Sequence, residues 1–196
     1  MRPVAAFLLL GLLGARPGAA ATTLIVEVRD VRGAAVPDAV VYAVPRARRP
    51  PPPTRAAVLD QKNRMFVPGI LPVQTGTAVS FPNSDSVRHQ VYSFSPAKRF
   101  QLPLYAGTPA TPVVFDKPGV VAIGCSIHDQ MSAYIVVVDT PYFALTPGGR
   151  AELPGLPEGA YDVRVWYAGM RNEPLSQPIS LAAEEQKNLT FQVGKK

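Results

Sequence analysis

From end to end the chain alternates short apolar runs with turn residues, and no stretch sustains a helical period. Residues 23–30 (TLIVEVRD) alternate apolar and polar positions as a half-buried strand does. Arg32-Gly33 then turns the chain, and 39–44 reads as a second strand. Residues 45–54 (PRARRPPPPT) cannot pair inside a sheet, because proline has no N–H to donate, so they predict a stiff polyproline connector. Beyond it lies a series of short strands: 56–59, 70–73, 77–81, 90–94, 113–115, 120–123 and 133–138. Turns at Gln74-Thr75-Gly76, Pro82-Asn83 and Lys117-Pro118-Gly119 separate them. The stretch 95–109 has little strand character and is expected to form a loop or one irregular helical turn. After Thr140, further strands are expected at 150–153, 160–168, 179–181 and 188–193, with a tight connection over 154–159. The pattern as a whole is all-β, a sandwich or a barrel.

The N-terminus changes the picture of where this chain works. Arg2, the apolar run 4–13 and Ala19-Ala20-Ala21 have the layout of a cleavable export signal, and the run is too short to span a bilayer. The mature chain is expected to begin near Ala21 or Thr22, in a bacterial periplasm. With 196 residues, 47% of them hydrophobic, it can bury one large core or two small ones. The net charge of +6 is partly local, at Arg46, Arg48 and Arg49 in the connector. No long basic patch with interleaved aromatics accompanies it, which argues against nucleic acid as a partner.

Candidate chemistry concentrates in Gly124-Cys125-Ser126-Ile127-His128-Asp129-Gln130-Met131. Cys125 is the only cysteine, so an exported chain cannot form an internal disulfide, and a free exposed thiol would be open to oxidation. A thiolate held by a metal resolves both points. The only other histidine is His89. Two imidazoles, one thiolate and a distant thioether are the donor set of a mononuclear type 1 copper site. Cys125, His128 and Met131 on one loop between strands can face a common point, with His89 supplied by a neighbouring strand. Zinc is the rival metal, with Asp129 to lend an oxygen, although a thioether suits it poorly. The plainer alternatives are an inert buried cysteine and a structural His89 whose ring is satisfied by Asp85 or Ser86.

Residues 55–139 resemble the cupredoxins, the plastocyanin and amicyanin group. The matching residues are Phe66-Val67-Pro68, Val73-Gln74-Thr75-Gly76, Val79-Ser80-Phe81-Pro82-Asn83, His89 and the C-x2-H-x2-M loop. The compact loop spacing is most similar to that of amicyanin. The resemblance implies a Greek-key β-sandwich or barrel holding one type 1 copper ion, with His89, Cys125 and His128 as strong ligands and Met131 as the axial one. It further implies a periplasmic protein of the methylamine-utilisation type, carrying single electrons between redox partners that dock near His128. Ile127, Phe94 and Pro68 are candidates for an apolar docking patch, with ordinary core as the alternative. Arg88, Lys98 and Arg99 would either rim that patch or, as the plainer reading has it, form a solvated face. Where many cupredoxins have Asn after the first histidine, this chain has Gln90, whose longer arm could reach Ser126. No catalysis is expected, because catalytic coppers need further histidines. The competing functions are a copper carrier or storage module without redox exchange, and a structural or carbohydrate-binding sandwich with a decayed site.

Residues 22–45 and 140–196 resemble a carboxypeptidase-regulatory or transthyretin-like β-sandwich. The resemblance rests on Pro37-Asp38-Ala39-Val40, Gly149-Arg150-Ala151-Glu152-Leu153-Pro154 and Leu156-Pro157-Glu158-Gly159-Ala160-Tyr161. It implies a signal at 1–21, the first strands of this sandwich at 22–45, a linker at 46–54, the cupredoxin domain at 55–139 and the rest of the sandwich at 140–196. In the rival arrangement, 22–45 adds a strand pair to the cupredoxin. Trp166, Tyr161 and Tyr167 are expected in the core or on the surface, not as a ligand platform, and the module's role is expected to be positional.

Overall fold

The computed structural model describes residues 22–47, 50–109, 111–170 and 173–194. The expected export signal and the connector residues Arg48 and Arg49 lie outside the described residues. The chain is all-β. It begins with β1 (Thr22–Asp30) and β2 (Val40–Pro45). Next come β3 (Ala57–Val58), β4 (Asp60–Lys62), β5 (Met65–Val67), β6 (Ile70–Gln74), β7 (Thr77–Ser80) and β8 (His89–Ser93). They are followed by β9 (Phe100–Tyr105), β10 (Val113–Phe115), β11 (Gly119–Gly124) and β12 (Ser132–Val138). The last are β13 (Phe143–Leu145), β14 (Arg150–Leu156), β15 (Gly159–Trp166), β16 (Leu175–Leu181) and β17 (Gln186–Val193).

Two sheets, β14-β1-β17 and β13-β2-β15-β16, are built from both ends of the chain. The alternate residues Leu24, Val26 and Val28 of β1 share one buried cluster with Val41 of β2, Val163 of β15 and Phe191 of β17. The period-two pattern of 23–30 therefore has a direct cause: one face of β1 looks into this core. A second core, containing Leu59, Val79, Phe81, Val91, Phe115 and Ile135, lies with the sheets β10-β7-β3 and β6-β12-β11-β8-β9.

The seam between the two cores is β12. Its run 134–138 (YIVVV) has no polar alternation because both faces are buried. Ile135 and Val137 face the second core, while Val136 and Val138 join a third cluster with Val40, Tyr42 and Trp166. The Tyr134 and Trp166 rings meet edge to face, with centroids 5.2 Å apart. Past β12 the chain is pinned back onto β2 and the turn before it. The Thr140 hydroxyl donates to the Ala43 carbonyl at 2.6 Å. The buried Thr146 hydroxyl donates to the Val36 carbonyl at 3.1 Å and accepts the Ala39 N–H at 3.0 Å.

Three segments differ from the sequence expectation. The stretch 95–109 carries a strand, β9, paired antiparallel with β8 at the sheet edge. Pro103 interrupts its apolar alternation, and only an edge position tolerates that interruption. The hairpin β4–β5 turns on Asn63 and Arg64, both left-handed at φ 56°, the geometry of a two-residue primed turn. The expected connector 45–54 differs at its start, where Pro45 ends β2 opposite Tyr161. Beyond it no described connector residue is in a strand, and the segment is fastened by Gln74 Nε2 donating to the Pro51 carbonyl at 2.6 Å.

Candidate metal centre

His89 opens β8, and Cys125 is the first residue beyond β11. The loop from Cys125 to Met131 turns back through a Met131 N–H bond to the His128 carbonyl at 2.9 Å and runs into β12. β8 and β11 are neighbours, with Tyr92 opposite Gly124. A Cβ on residue 124 would fall 2.8 Å from the Tyr92 ring, so any larger residue there would have to displace the end of that side chain. The aromatic ring thus lies flush against the backbone immediately before the thiol.

The fold brings His89, Cys125 and His128 together, with one donor atom from each lying within 4.8 Å of the others. Cys125 Sγ is 4.0 Å from His89 Nδ1, and the two imidazole centroids are 5.0 Å apart with planes inclined at 61°. His89, Cys125 and Met131 are 0%, 3% and 1% exposed, whereas His128 is half-buried. Met131 belongs to the same core cluster as Cys125 and lines with it a cavity of about 460 Å³ that Tyr92, Phe94 and Asp129 also bound. No carboxylate joins the donor cluster among the described residues, and Asp129 is exposed.

One atom tests whether a metal fits. His128 Nδ1 is buried and has no hydrogen-bond partner. An unsatisfied buried nitrogen of this kind costs about 1–3 kcal/mol, and a coordinated ion removes that cost. Two donors bound to one ion at about 2.0–2.3 Å, in a trigonal or tetrahedral array, stand about 3.3–3.8 Å apart. The 4.0 Å sulfur–nitrogen separation lies just outside this range, and a pair at the 4.8 Å limit of the set would close by about 1 Å on binding an ion.

Outer contacts hold the donors. Asp85 Oδ2 lies 2.7 Å from His89 Nε2, a bond that assigns the ring proton to Nε2 and leaves the Nδ1 lone pair toward the thiol. The same carboxylate accepts the Asn63 N–H at 2.6 Å and the Arg64 N–H at 2.9 Å. Desolvation alone would raise its pKa, but the bonds from Arg64, His89 and Asn63 prevail and hold it below the usual carboxylate value. The Ser126 hydroxyl donates to Gln90 Oε1, so the longer amide side chain does link the segments that carry His89 and Cys125. On β9, opposite His89, Tyr105 donates its hydroxyl to the Phe81 carbonyl at 2.6 Å and accepts from Gln61 Nε2. Burial pushes the Tyr105 phenol up to about 12 against the Gln61 bond, and the charges of Asp60 and Cys125 add to the rise.

Of the surface residues singled out in the sequence, Phe94 is 72% and Ile127 50% exposed, and Pro68 is exposed. Arg88 and Arg99 are also exposed, while Lys98 pairs with Asp116 at 2.9 Å. Trp166 and Tyr161 are buried in separate clusters, and Tyr161 donates to the Pro157 carbonyl at 2.7 Å. Sequence reasoning missed the role of the 63–64 turn, the Tyr92 ring over Gly124, and the Gln61–Tyr105 pair. Asp85, four residues before His89, was the one visible signal among these contacts.

No protein-family model and no curated protein matches the sequence. Among solved structures, part of the chain is similar to a Cu-containing nitrite reductase from Thermus scotoductus SA-01, with 25% identity over 43% of this chain and a TM-score of 0.40. The chain spans 22% of that reductase's length. It is also similar to a purple cupredoxin from Nitrosopumilus maritimus, at 25% identity over 43% of this chain and 100% of the other, with a TM-score of 0.37. An amicyanin variant in its Cu(I) form is 20% identical over 50% of this chain and 99% of its own, with a TM-score of 0.39.

Proposed function

We propose that this chain is a type 1 copper protein of the cupredoxin kind, exported to the periplasm, that carries single electrons between redox partners. His89, Cys125 and His128 are the strong ligands and Met131 the axial one. The observation that carries the reading is the partnerless, buried Nδ1 of His128 within the cluster that holds the Cys125 thiol and His89 Nδ1. Copper bound there supplies a one-electron couple between Cu(II) and Cu(I). The Gln90–Ser126, Asp85–His89 and Met131–His128 bonds limit how far the donors move when the charge changes. Among the two imidazoles, His128 is the one nearer solvent and is the exit for the electron. Exposed Ile127 and Phe94 supply an apolar surface suited to a small, transient interface. The chain has two histidines, both used here, which leaves no imidazole for a second, catalytic copper.

We read 55–139 as the copper module, held between 22–45 and 140–196, which form one positioning sandwich. The shared cluster of β1, β2, β15 and β17 residues supports this reading. An optical spectrum tests the function. Copper-loaded protein is expected to show an intense visible thiolate-to-copper band that bleaches reversibly with a one-electron reductant, and Cys125→Ser is expected to lack it. Bound copper with no such band would point to carriage of Cu(I). Wild-type protein that binds copper no better than Cys125→Ser would sink the metal reading.

A further inference from the structure

Asp85 does two things at once that no other side chain around the centre does. Its carboxylate meets the outer nitrogen of His89 at 2.7 Å, and it accepts both N–H groups of the 63–64 turn, at 2.6 and 2.9 Å. That turn places a non-glycine pair, Asn63 and Arg64, in the left-handed region, a conformation that persists where surroundings hold it. Ser84, the neighbour of Asp85, adds a second tie to the same hairpin, its hydroxyl donating to Asp60 at 2.8 Å. Among the described residues, no lysine or arginine lies within ion-pair reach of Asp85, so its negative charge faces only His89 and the two turn N–H groups. A shallow cavity of about 300 Å³, lined by Asn63, Arg64, Asp85, Ser86 and Val87, opens beside the carboxylate, whose side chain is 13% exposed.

We propose that Asp85 is a positioning residue: it fixes His89 with Nδ1 toward Cys125 and, through its uncompensated charge, favours the oxidised ion over the reduced one. This rests on the copper reading above. A negative charge one imidazole away from the ion stabilises the more positive oxidation state, and partners of this kind typically change metal affinity 10–100-fold.

The test uses the full mature chain with Asp85→Asn and Asp85→Ala. Asp85→Asn keeps one carbonyl oxygen for His89 while removing the charge. Its Cu(II) affinity is expected to fall relative to Cu(I) by about tenfold, a rise of about 59 mV in midpoint potential for one electron. Nitrogen NMR of the metal-free protein supplies a reading independent of copper. Wild-type His89 is expected in the single tautomer protonated at Nε2, and Asp85→Ala is expected to mix the two. An unchanged potential in folded, copper-binding Asp85→Asn would overturn the charge role, and an unchanged tautomer in Asp85→Ala would overturn the positioning role. Failure of wild-type protein to bind copper would strike the copper reading instead, leaving the tautomer result to judge the positioning of the ring.

Discussion

Tyr105 keeps its proton because the phenolate would have to give up water beside the charges of Asp60 and Cys125, which lifts its pKa from 10.0 to about 12. The sign of the consequence follows directly. An unfolded tyrosine ionises near pH 10, whereas the folded one resists until about pH 12, so within that window the unfolded state has released a proton that the folded state still holds. Stability should be full below pH 10 and decline between pH 10 and 12. Urea midpoints measured across that range are expected to fall less steeply in Tyr105→Phe, and identical slopes would remove Tyr105 as the cause. The same residue shows what a sequence conceals. The candidate donors His89, Cys125, His128 and Met131 stand out by chemical type and spacing. Tyr105 acquires its role only from cross-strand register with His89, and Asp85 from a turn whose left-handed Arg64 no residue preference announces.

Elements were legible where burial was simple. The alternation of β1 and the unbroken apolar run of β12 announce one buried face and two buried faces respectively. β9 was not legible, because Pro103 erases the strand signal and only the free edge beside β8 makes the strand possible. At this scale the return from β12 depends on Thr146. Its hydroxyl satisfies a buried carbonyl on Val36 and a buried N–H on Ala39. Thr146→Val preserves shape but orphans both groups, so it should cost about 1–3 kcal/mol. The expected result is a lower urea midpoint with an unchanged denaturant slope. A shift below about 0.5 kcal/mol, the ordinary range of surface substitutions, would show that this anchor is dispensable.

The whole molecule is joined through the seam of Val136 and Val138 against Val40, Tyr42 and Trp166. Trp166→Ala removes the largest side chain of that seam, and truncations of this kind cost about 3–5 kcal/mol. Wild-type protein is expected to melt in one calorimetric transition, raised by copper by about 2.7 kcal/mol at a hundredfold excess over the dissociation constant. In Trp166→Ala the transition should split, with copper lifting only one component. Two transitions already present in the wild type would show that the seam does not couple the cores. The junction has a further consequence. Ala43 is bonded to Thr140 through its carbonyl and to Tyr142 through its N–H, and β2 and β13 are antiparallel neighbours. The polypeptide therefore departs and rejoins at one spot. On the proposed division, in which 55–139 is a module of its own, this paired stem is its attachment, and exchanging the module for a short turn is expected to leave the remaining sandwich able to fold. A graft that omitted the seam would keep its footing but lose its fixed bearing.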